Sequence, residues 1–168
     1  MDHSILKDAK TIVMVFNVFN KECAAIAGGC LRDLETGREP RDIDIIVQYE
    51  DPRDFAEAQI QARFLGYTAT VFQMHAEYPL EGICGAAVMG IAKLEHPTKL
   101  PIDIIFRDGP IRQVIEDFPC NAVKVYMVED DIVQTPEYQE FLDTGKLTFH
   151  KGAPEAYKEK LLSYYPQD

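Results

Sequence analysis

The stretch of sequence that decides the fold is residues 24–47, AAIAGGCLRDLETGREPRDIDIIV. It begins as an apolar strand, turns at Gly28 and Gly29 and continues into a short helix. Glycine lacks a Cβ atom, so the backbone can adopt a positive φ and let an anion approach closely. The first N–H groups of a helix have no intrahelical partner, and the helix dipole favours negative charge there. The turn therefore predicts a phosphate-binding site, although a Gly-Gly pair alone is also an ordinary turn signal.

The same stretch ends in a second apolar strand that carries two aspartates. Residues two apart in a strand point the same way, so Asp42 and Asp44 share a face and Ile43 and Ile45 take the other. Carboxylates beside an apolar run are costly to desolvate unless something compensates. Magnesium does so, because it binds one or two carboxylates together with substrate phosphates. The pair predicts a site for Mg²⁺ or Mn²⁺, and a solvated strand end is the alternative reading.

The order of these features resembles a known family signature. Gly-Gly, x-x-Arg-Asp and then Gly-Arg-x-Pro-x-Asp-x-Asp, at this spacing, is similar to the catalytic head domain of class II tRNA nucleotidyltransferases. That family includes the CCA-adding enzymes and bacterial poly(A) polymerases of the polymerase β superfamily. The resemblance implies an α+β fold of the polymerase β type, a mixed twisted sheet flanked by helices. It also implies an NTP substrate, with Gly28, Gly29 and Arg32 holding the triphosphate and Asp33 ordering the turn.

A weaker match to the same family lies at residues 117–122, DFPCNA. It resembles a head-domain motif, Arg-Arg-Asp-Phe-x-x-Asn-Ala, that the family uses to recognise the sugar and phosphates of the nucleotide. Ile115 and Glu116 stand where the family has its two arginines. The resemblance assigns Asn121 to the ribose, since its amide can reach a hydroxyl. An asparagine that caps a local turn is the alternative.

A third carboxylate is predicted from a strand at residues 100–107, LPIDIIFR. In the wider superfamily a later strand brings an acidic residue to the metal site, and Asp103 matches by context. It would join Asp42 and Asp44 as a metal ligand, or act as the base toward the acceptor, in a two-metal phosphoryl transfer. The alternative is a strand-end aspartate paired with Arg107. Arg107 is also a candidate phosphate ligand, because its guanidinium is planar and always charged.

Length and composition predict one soluble domain. The chain has 168 residues with 46% hydrophobic content, enough for one domain with a real core. We expect a single nucleotidyltransferase head over residues 1–168, without neck, body or tail domains. The start of the chain does not read as a signal peptide and no apolar run is long enough to span a bilayer, so we expect a cytoplasmic protein. Four scattered cysteines predict neither a zinc site nor a disulfide framework.

Charge restricts the expected acceptor. The chain has 28 acidic and 17 basic residues, a net charge of -11. Proteins that bind nucleic acid usually present a basic face, because contacts to phosphates supply much of the affinity. All seven arginines lie between Arg32 and Arg112, which leaves room for a local basic rim. A small acceptor, or an RNA end held by a partner subunit or a second copy of the chain, fits this charge better than a long RNA track.

Local patterns predict the remaining elements. Apolar residues at helical spacing indicate a helix within the first twenty residues. Asp51 and Pro52 begin a helix that Gly66 ends. The other expected elements are strands at 69–74 and 85–94, a turn at 96–99, a hairpin at 122–134, and helices at 136–142 and 154–164.

These observations predict a stand-alone, metal-dependent nucleotidyltransferase. It would move a nucleoside monophosphate from an NTP to an acceptor hydroxyl, with a tRNA or other RNA end as the expected acceptor, and release pyrophosphate. Two alternatives are open. One is a catalytically degenerate module that binds a nucleotide or a partner; the other is a toxin- or antitoxin-type nucleotidyltransferase that acts on tRNA or protein.

Overall fold

Short apolar segments of the chain build one mixed β-sheet. The computed structural model describes residues 3–18, 22–73 and 88–168, and these form seven strands in the order β3-β4-β5-β2-β1-β6-β7. Strands β2 and β5 pair in parallel, and the other neighbouring strands pair antiparallel. The strands are β1 (Ala24–Ala27), β2 (Ile43–Gln48), β3 (Thr68–Gln73), β4 (Val88–Glu95), β5 (Ile102–Arg107), β6 (Val125–Val128) and β7 (Asp131–Gln134).

Six helices surround this sheet within the described residues. They are α1 (Lys7–Phe16), α2 (Gly29–Thr36), α3 (Arg53–Leu65), α4 (Ile111–Glu116), α5 (Pro136–Thr144) and α6 (Glu155–Tyr164). Helix α3 begins one residue later than predicted, with Pro52 at the N-cap position, and the Asp51 carboxylate accepts the Arg53 N–H at 2.8 Å. Its end follows the prediction, since Gly66 takes the left-handed conformation with φ 87°. The signals at the two ends of α3 were therefore strong enough to locate this helix.

The two faces of the sheet are covered differently. Helices α1 and α3 pack on one face, where the main core gathers side chains such as Ile45, Ile104 and Phe106. Helix α4 covers part of the other face, where Val114 and Ile115 join a smaller apolar cluster with residues of β1 and β2. The rest of that second face carries the residues of the candidate site. The main core therefore covers one face of the sheet and leaves part of the other face open for the candidate site.

The α+β fold expected from the sequence is confirmed by this architecture. Helix α4 and a short 3-10 turn at Asn121–Val123 were not predicted. Residue 74 and residues 85–87, the ends of two predicted strands, lie outside the described residues. Cys23, Cys30 and Cys120 are free and buried, and Cys84 also lies outside the described residues. Among the helices that the structure describes, none combines the length and the apolar character needed to cross a membrane.

A glycine in β4 provides a test of this packing. A Cβ atom at Gly90 would lie 2.5 Å from Cε1 of Phe55 and 2.8 Å from the carbonyl oxygen of Phe72. The second atom is backbone of β3 and cannot rotate away. We expect Gly90→Ala to lower the free energy of unfolding by about 2 kcal/mol, measured by urea denaturation. Glu95→Ala, at an exposed position of β4, is the control and should change it by less than about 0.5 kcal/mol; wild-type stability in Gly90→Ala would contradict the packing described.

Candidate functional site

A pocket of about 250 Å³ opens over the second face of the sheet. Its floor consists of Ala27 from β1, Asp44 and Ile46 from β2, and Ile105 and Arg107 from β5. The pocket brings together most of the residues that the sequence assigned to a site. Those lining it are Gly28, Gly29, Arg32, Asp33, Asp42, Asp44 and Arg107.

The Gly-Gly turn forms one wall of the pocket at the start of α2. Gly28 has φ 72° and ψ -134°, a conformation that side-chain-bearing residues rarely adopt. Its own N–H donates to the Val125 carbonyl at 3.0 Å, so that amide is not available to a ligand, contrary to expectation. In the described part of the chain, the N–H groups of Gly29 and Cys30 have no backbone acceptor. These two amides, at the positive end of the helix dipole, are the ones suited to an anion.

Arg32 and Asp33 form a buried ion pair beside this turn. The Arg32 Nη2 and Nε atoms donate to one Asp33 oxygen, Oδ1, at 2.9 and 3.1 Å. Burial by itself would lower the pKa of Arg32, but the Asp33 carboxylate outweighs it and the pKa is raised. Asp33 therefore fixes the direction of a guanidinium that lines the pocket.

Three carboxylates approach one another where β2 and β5 begin. Asp44 and Asp103 are partners in the parallel register of these strands, and Asp42 lies just before β2. The Lys93 Nζ atom of β4 lies 3.8 Å from the Asp103 Oδ1 atom, so Asp103 forms an ion pair with this lysine. Asp103 is not among the described residues that line the pocket. The structure thus places Asp103 next to Asp44 but at the margin of the site.

Asp44 is the most perturbed carboxylate of this group. Burial first, and then the neighbouring Asp42 and Asp103 carboxylates, raise its pKa to about 7, against the opposing charges of Lys160 and Lys93. Burial also raises the pKa of Asp103, and Lys93 limits that rise. Among the described residues, the Asp42 and Asp44 carboxylates have no hydrogen-bond partner. A cation placed against such a carboxylate stabilises its charged form.

The donor set is suited to a hard divalent ion bound together with a ligand. Within the described part of the chain, no three His, Cys, Asp or Glu side chains form a ready-made cage for a metal. Mg²⁺ and Mn²⁺ do not need one, because magnesium binds through one or two carboxylates and takes its other oxygens from water and phosphates. The oxygens of Asp42 and Asp44 fit this pattern.

Helix α6 forms a wall that the sequence did not reveal. Tyr157, Lys160 and Tyr164 of this helix line the pocket. The Arg38 guanidinium carbon lies 4.0 Å from the centre of the Tyr164 ring, and Arg41 also lines the pocket. Arg38 and Arg41 belong to the Gly-Arg-x-Pro-x-Asp motif, so the sequence contained a signal that could have assigned them to the site. The α6 residues carried no signal, because they meet the site only through the fold.

Asn121, predicted to contact a ribose, is engaged elsewhere. Its side-chain amide donates to the Lys146 carbonyl at 2.9 Å, and its amide oxygen accepts the Thr148 N–H at 3.0 Å. It is buried and is not among the described residues lining the pocket. These contacts join Asn121 to backbone 25 and 27 residues further along the chain, so its amide holds two distant segments together and does not cap a local turn.

Solved structures of CCA-adding enzymes share this fold. A Thermotoga maritima CCA-adding enzyme complexed with tRNA matches 89% of this chain with a TM-score of 0.63 and 19% identity. A CCA-adding enzyme in an apo form gives a TM-score of 0.63 at 18% identity, and a complex of CCA-adding enzyme with ATP gives 0.62 at 18%. This chain spans 33–34% of the length of those chains. The likeness shows that this chain shares the fold of the matched part of those enzymes.

Comparison by sequence adds nothing to this result. No protein-family model matches the chain, and no curated protein matches it either. The family resemblance of the motifs is therefore supported by the shared fold and not by overall sequence similarity.

The crowding of carboxylates gives a prediction about stability. Asp44→Asn removes a charge that burial and two neighbouring carboxylates disfavour. We expect it to stabilise the metal-free protein by roughly 1–2 kcal/mol, a rise of several degrees in the midpoint of thermal unfolding. Adding Mg²⁺ or Mn²⁺ should raise the midpoint of the wild type and change that of Asp44→Asn much less.

Asp143→Asn is the matched control, because Asp143 is an exposed residue of α5. It should leave both the midpoint and the response to the ion unchanged. An Asp44→Asn protein that is less stable than the metal-free wild type would show that the carboxylates are not in repulsion.

Proposed function

We propose that this pocket binds a nucleoside triphosphate with Mg²⁺ or Mn²⁺ and transfers the nucleoside monophosphate to an acceptor hydroxyl. The observation that supports this most strongly is the meeting of two opposite chemistries in one pocket. Unpaired helix amides and guanidinium groups that suit a polyanion lie in the same pocket as Asp42 and Asp44, which suit a divalent cation. A triphosphate that carries a metal ion satisfies both.

The triphosphate would lie against the start of α2. The Gly29 amide and the amide that follows it are available as donors, and the absence of side chains at Gly28 and Gly29 allows phosphate oxygens to approach the backbone. Arg107 adds fixed positive charge at the floor of the pocket, and Arg32, which is paired with Asp33, adds a guanidinium of fixed direction. Asp33 acts through Arg32 as a positioning residue.

The transfer itself would take place at the carboxylates. The acceptor oxygen forms a bond to the α-phosphorus, the bond from that phosphorus to the bridging oxygen of the β-phosphate breaks, and pyrophosphate leaves. Asp103 takes the proton of the acceptor hydroxyl, in keeping with its raised pKa and its place beside Asp44. Asp42 and Asp44 hold the divalent ion, with Asp103 as a further ligand candidate. When bound, the ion supplies charge stabilisation to the triphosphate and the leaving pyrophosphate.

We propose an RNA end, such as that of tRNA, as the acceptor. The support is the fold shared with CCA-adding enzymes, one of them complexed with tRNA. The net charge of -11 disfavours an extended RNA surface on this chain, so a partner subunit or a second copy would hold the body of the RNA.

A nucleotide-binding module without transferase activity is the second candidate. It is favoured by Ile115, which stands at a family arginine position and is fully buried in the α4 cluster. Asn121 is likewise committed to the chain's own backbone. Both features remove groups that the resemblance assigns to gripping the nucleotide.

Transfer from labelled NTPs separates these candidates. Each NTP, labelled at the α-phosphate, is incubated with wild-type protein, Mg²⁺ or Mn²⁺, and total cellular RNA and protein. We expect label in RNA with the wild type, and a loss of at least 100-fold in Asp42→Asn and Asp44→Asn, since each loses a carboxylate from the metal site.

Asp143→Asn again serves as the control and should retain wild-type activity. Label that enters protein instead of RNA would identify the protein-modifying alternative. Metal-dependent NTP binding without transfer to either acceptor would favour the binding module.

A further inference from the structure

The wall of the pocket formed by α6 concentrates positive charge around one aromatic ring. Three guanidinium carbons lie within 6 Å of the centre of the Tyr164 ring: Arg38 at 4.0 Å, Arg41 at 5.8 Å and Arg32 at 5.9 Å. Arg32 is neutralised by Asp33, whereas no ion pair is recorded among the described residues for the other two arginines. The ring is only partly buried and lines the pocket.

The position of this ring is fixed by the neighbouring contacts of α6 and of the residue that follows it. Leu161 is 1% exposed and anchors the helix in the main core. The neighbouring Tyr165 hydroxyl lies 3.0 Å from the Thr36 hydroxyl of α2, and its ring packs edge-on against Phe141 of α5. Tyr164 is therefore held at a set distance from the α2 turn. A ring placed in this way is a preformed surface.

The pocket consequently combines two chemically different surfaces. One consists of the free amides of the α2 turn and the carboxylates of Asp42 and Asp44. The other consists of the Tyr164 ring and the Arg38 guanidinium, which lies over it at 4.0 Å. A flat, electron-rich ring system such as a nucleobase would bind favourably to the tyrosine ring and to the guanidinium, since bases stack on both groups.

We propose that Tyr164 and the Arg38 stacked on it form the nucleobase subsite of the pocket, and that it selects purine over pyrimidine nucleotides by stacking area. The inference rests on the proposed function, because it assigns the second end of the same ligand. Stacking on this platform grows with the area of the base, and a purine covers more of it than a pyrimidine does. Tyr164 is thus a specificity-determining residue.

Equilibrium binding separates the two ends of the ligand. The affinities of ATP, GTP, CTP and UTP for the full chain are measured with Mg²⁺ by isothermal titration calorimetry. Inorganic tripolyphosphate is the probe for the phosphate end alone. We expect the wild type to bind purine nucleotides roughly tenfold or more tighter than tripolyphosphate, with pyrimidine nucleotides in between.

Two substitutions at the ring and one beside it complete the experiment. Tyr164→Ala should reduce the affinity for every NTP to that for tripolyphosphate and leave tripolyphosphate binding unchanged, which also shows that the variant is folded. Tyr164→Phe keeps the ring and should keep the purine preference. Leu162→Ala, at a more exposed position of the same helix, should bind all probes like the wild type.

The outcomes distinguish this inference from the proposed function. If neither the nucleotides nor tripolyphosphate bind, the proposed function fails and the inference fails with it. If tripolyphosphate binds but Tyr164→Ala keeps the wild-type preference among nucleotides, the nucleotide site stands and the base subsite is wrong. Equal wild-type affinity for ATP and tripolyphosphate would also overturn the subsite, and would leave the cluster on α6 with a packing role.

Discussion

The parallel pairing of β2 with β5 is the constraint on which the site depends. Both strands begin with the same four residues, Ile-Asp-Ile-Ile, and the observed register aligns them residue by residue. A slip of one residue in either strand would turn the aspartate of that strand into the main core and its core isoleucines toward the other face. The hydrophobic pattern that fixes the register therefore also forces Asp44 and Asp103 together. The repulsion between these two carboxylates is a consequence of correct folding.

Basic side chains around the pocket offset part of this repulsion. Five basic residues line the pocket, of the 17 in a chain whose net charge is -11. They come from separate parts of the chain: Arg32, Arg38, Arg41, Arg107 and Lys160. Because the surrounding charge is negative, attraction of a polyanion is confined to the pocket and is screened beyond about 10 Å in ordinary salt. This arrangement suits a small anionic ligand better than a long nucleic acid.

The sequence allowed the fold to be predicted where the determining signals are local. Gly66 ends α3 through its own backbone conformation, and the alternation around Asp44 marks β2 and its faces. The sequence could not show which distant groups would meet. Tyr164 reaches the pocket through a helix more than a hundred residues after the Gly-Gly turn, and the Asn121 amide is taken up by a loop that no motif describes. The N–H of Gly28 is likewise used by β6, a partner known only once the strand order is known.

The geometry of the carboxylates ties the two expected ligands to each other. Asp42 and Asp44 offer oxygens but, with the other described residues, form no closed set of protein ligands for an ion. An ion alone would therefore keep most of its water and bind weakly, while a triphosphate alone would face the negative charge of the same two residues. Each ligand removes the obstacle that the other meets. By linkage, the affinity gained by the nucleotide from the ion equals the affinity gained by the ion from the nucleotide. A pocket built on paired strands that bring carboxylates together is, for this reason, one that binds its two ligands as a unit.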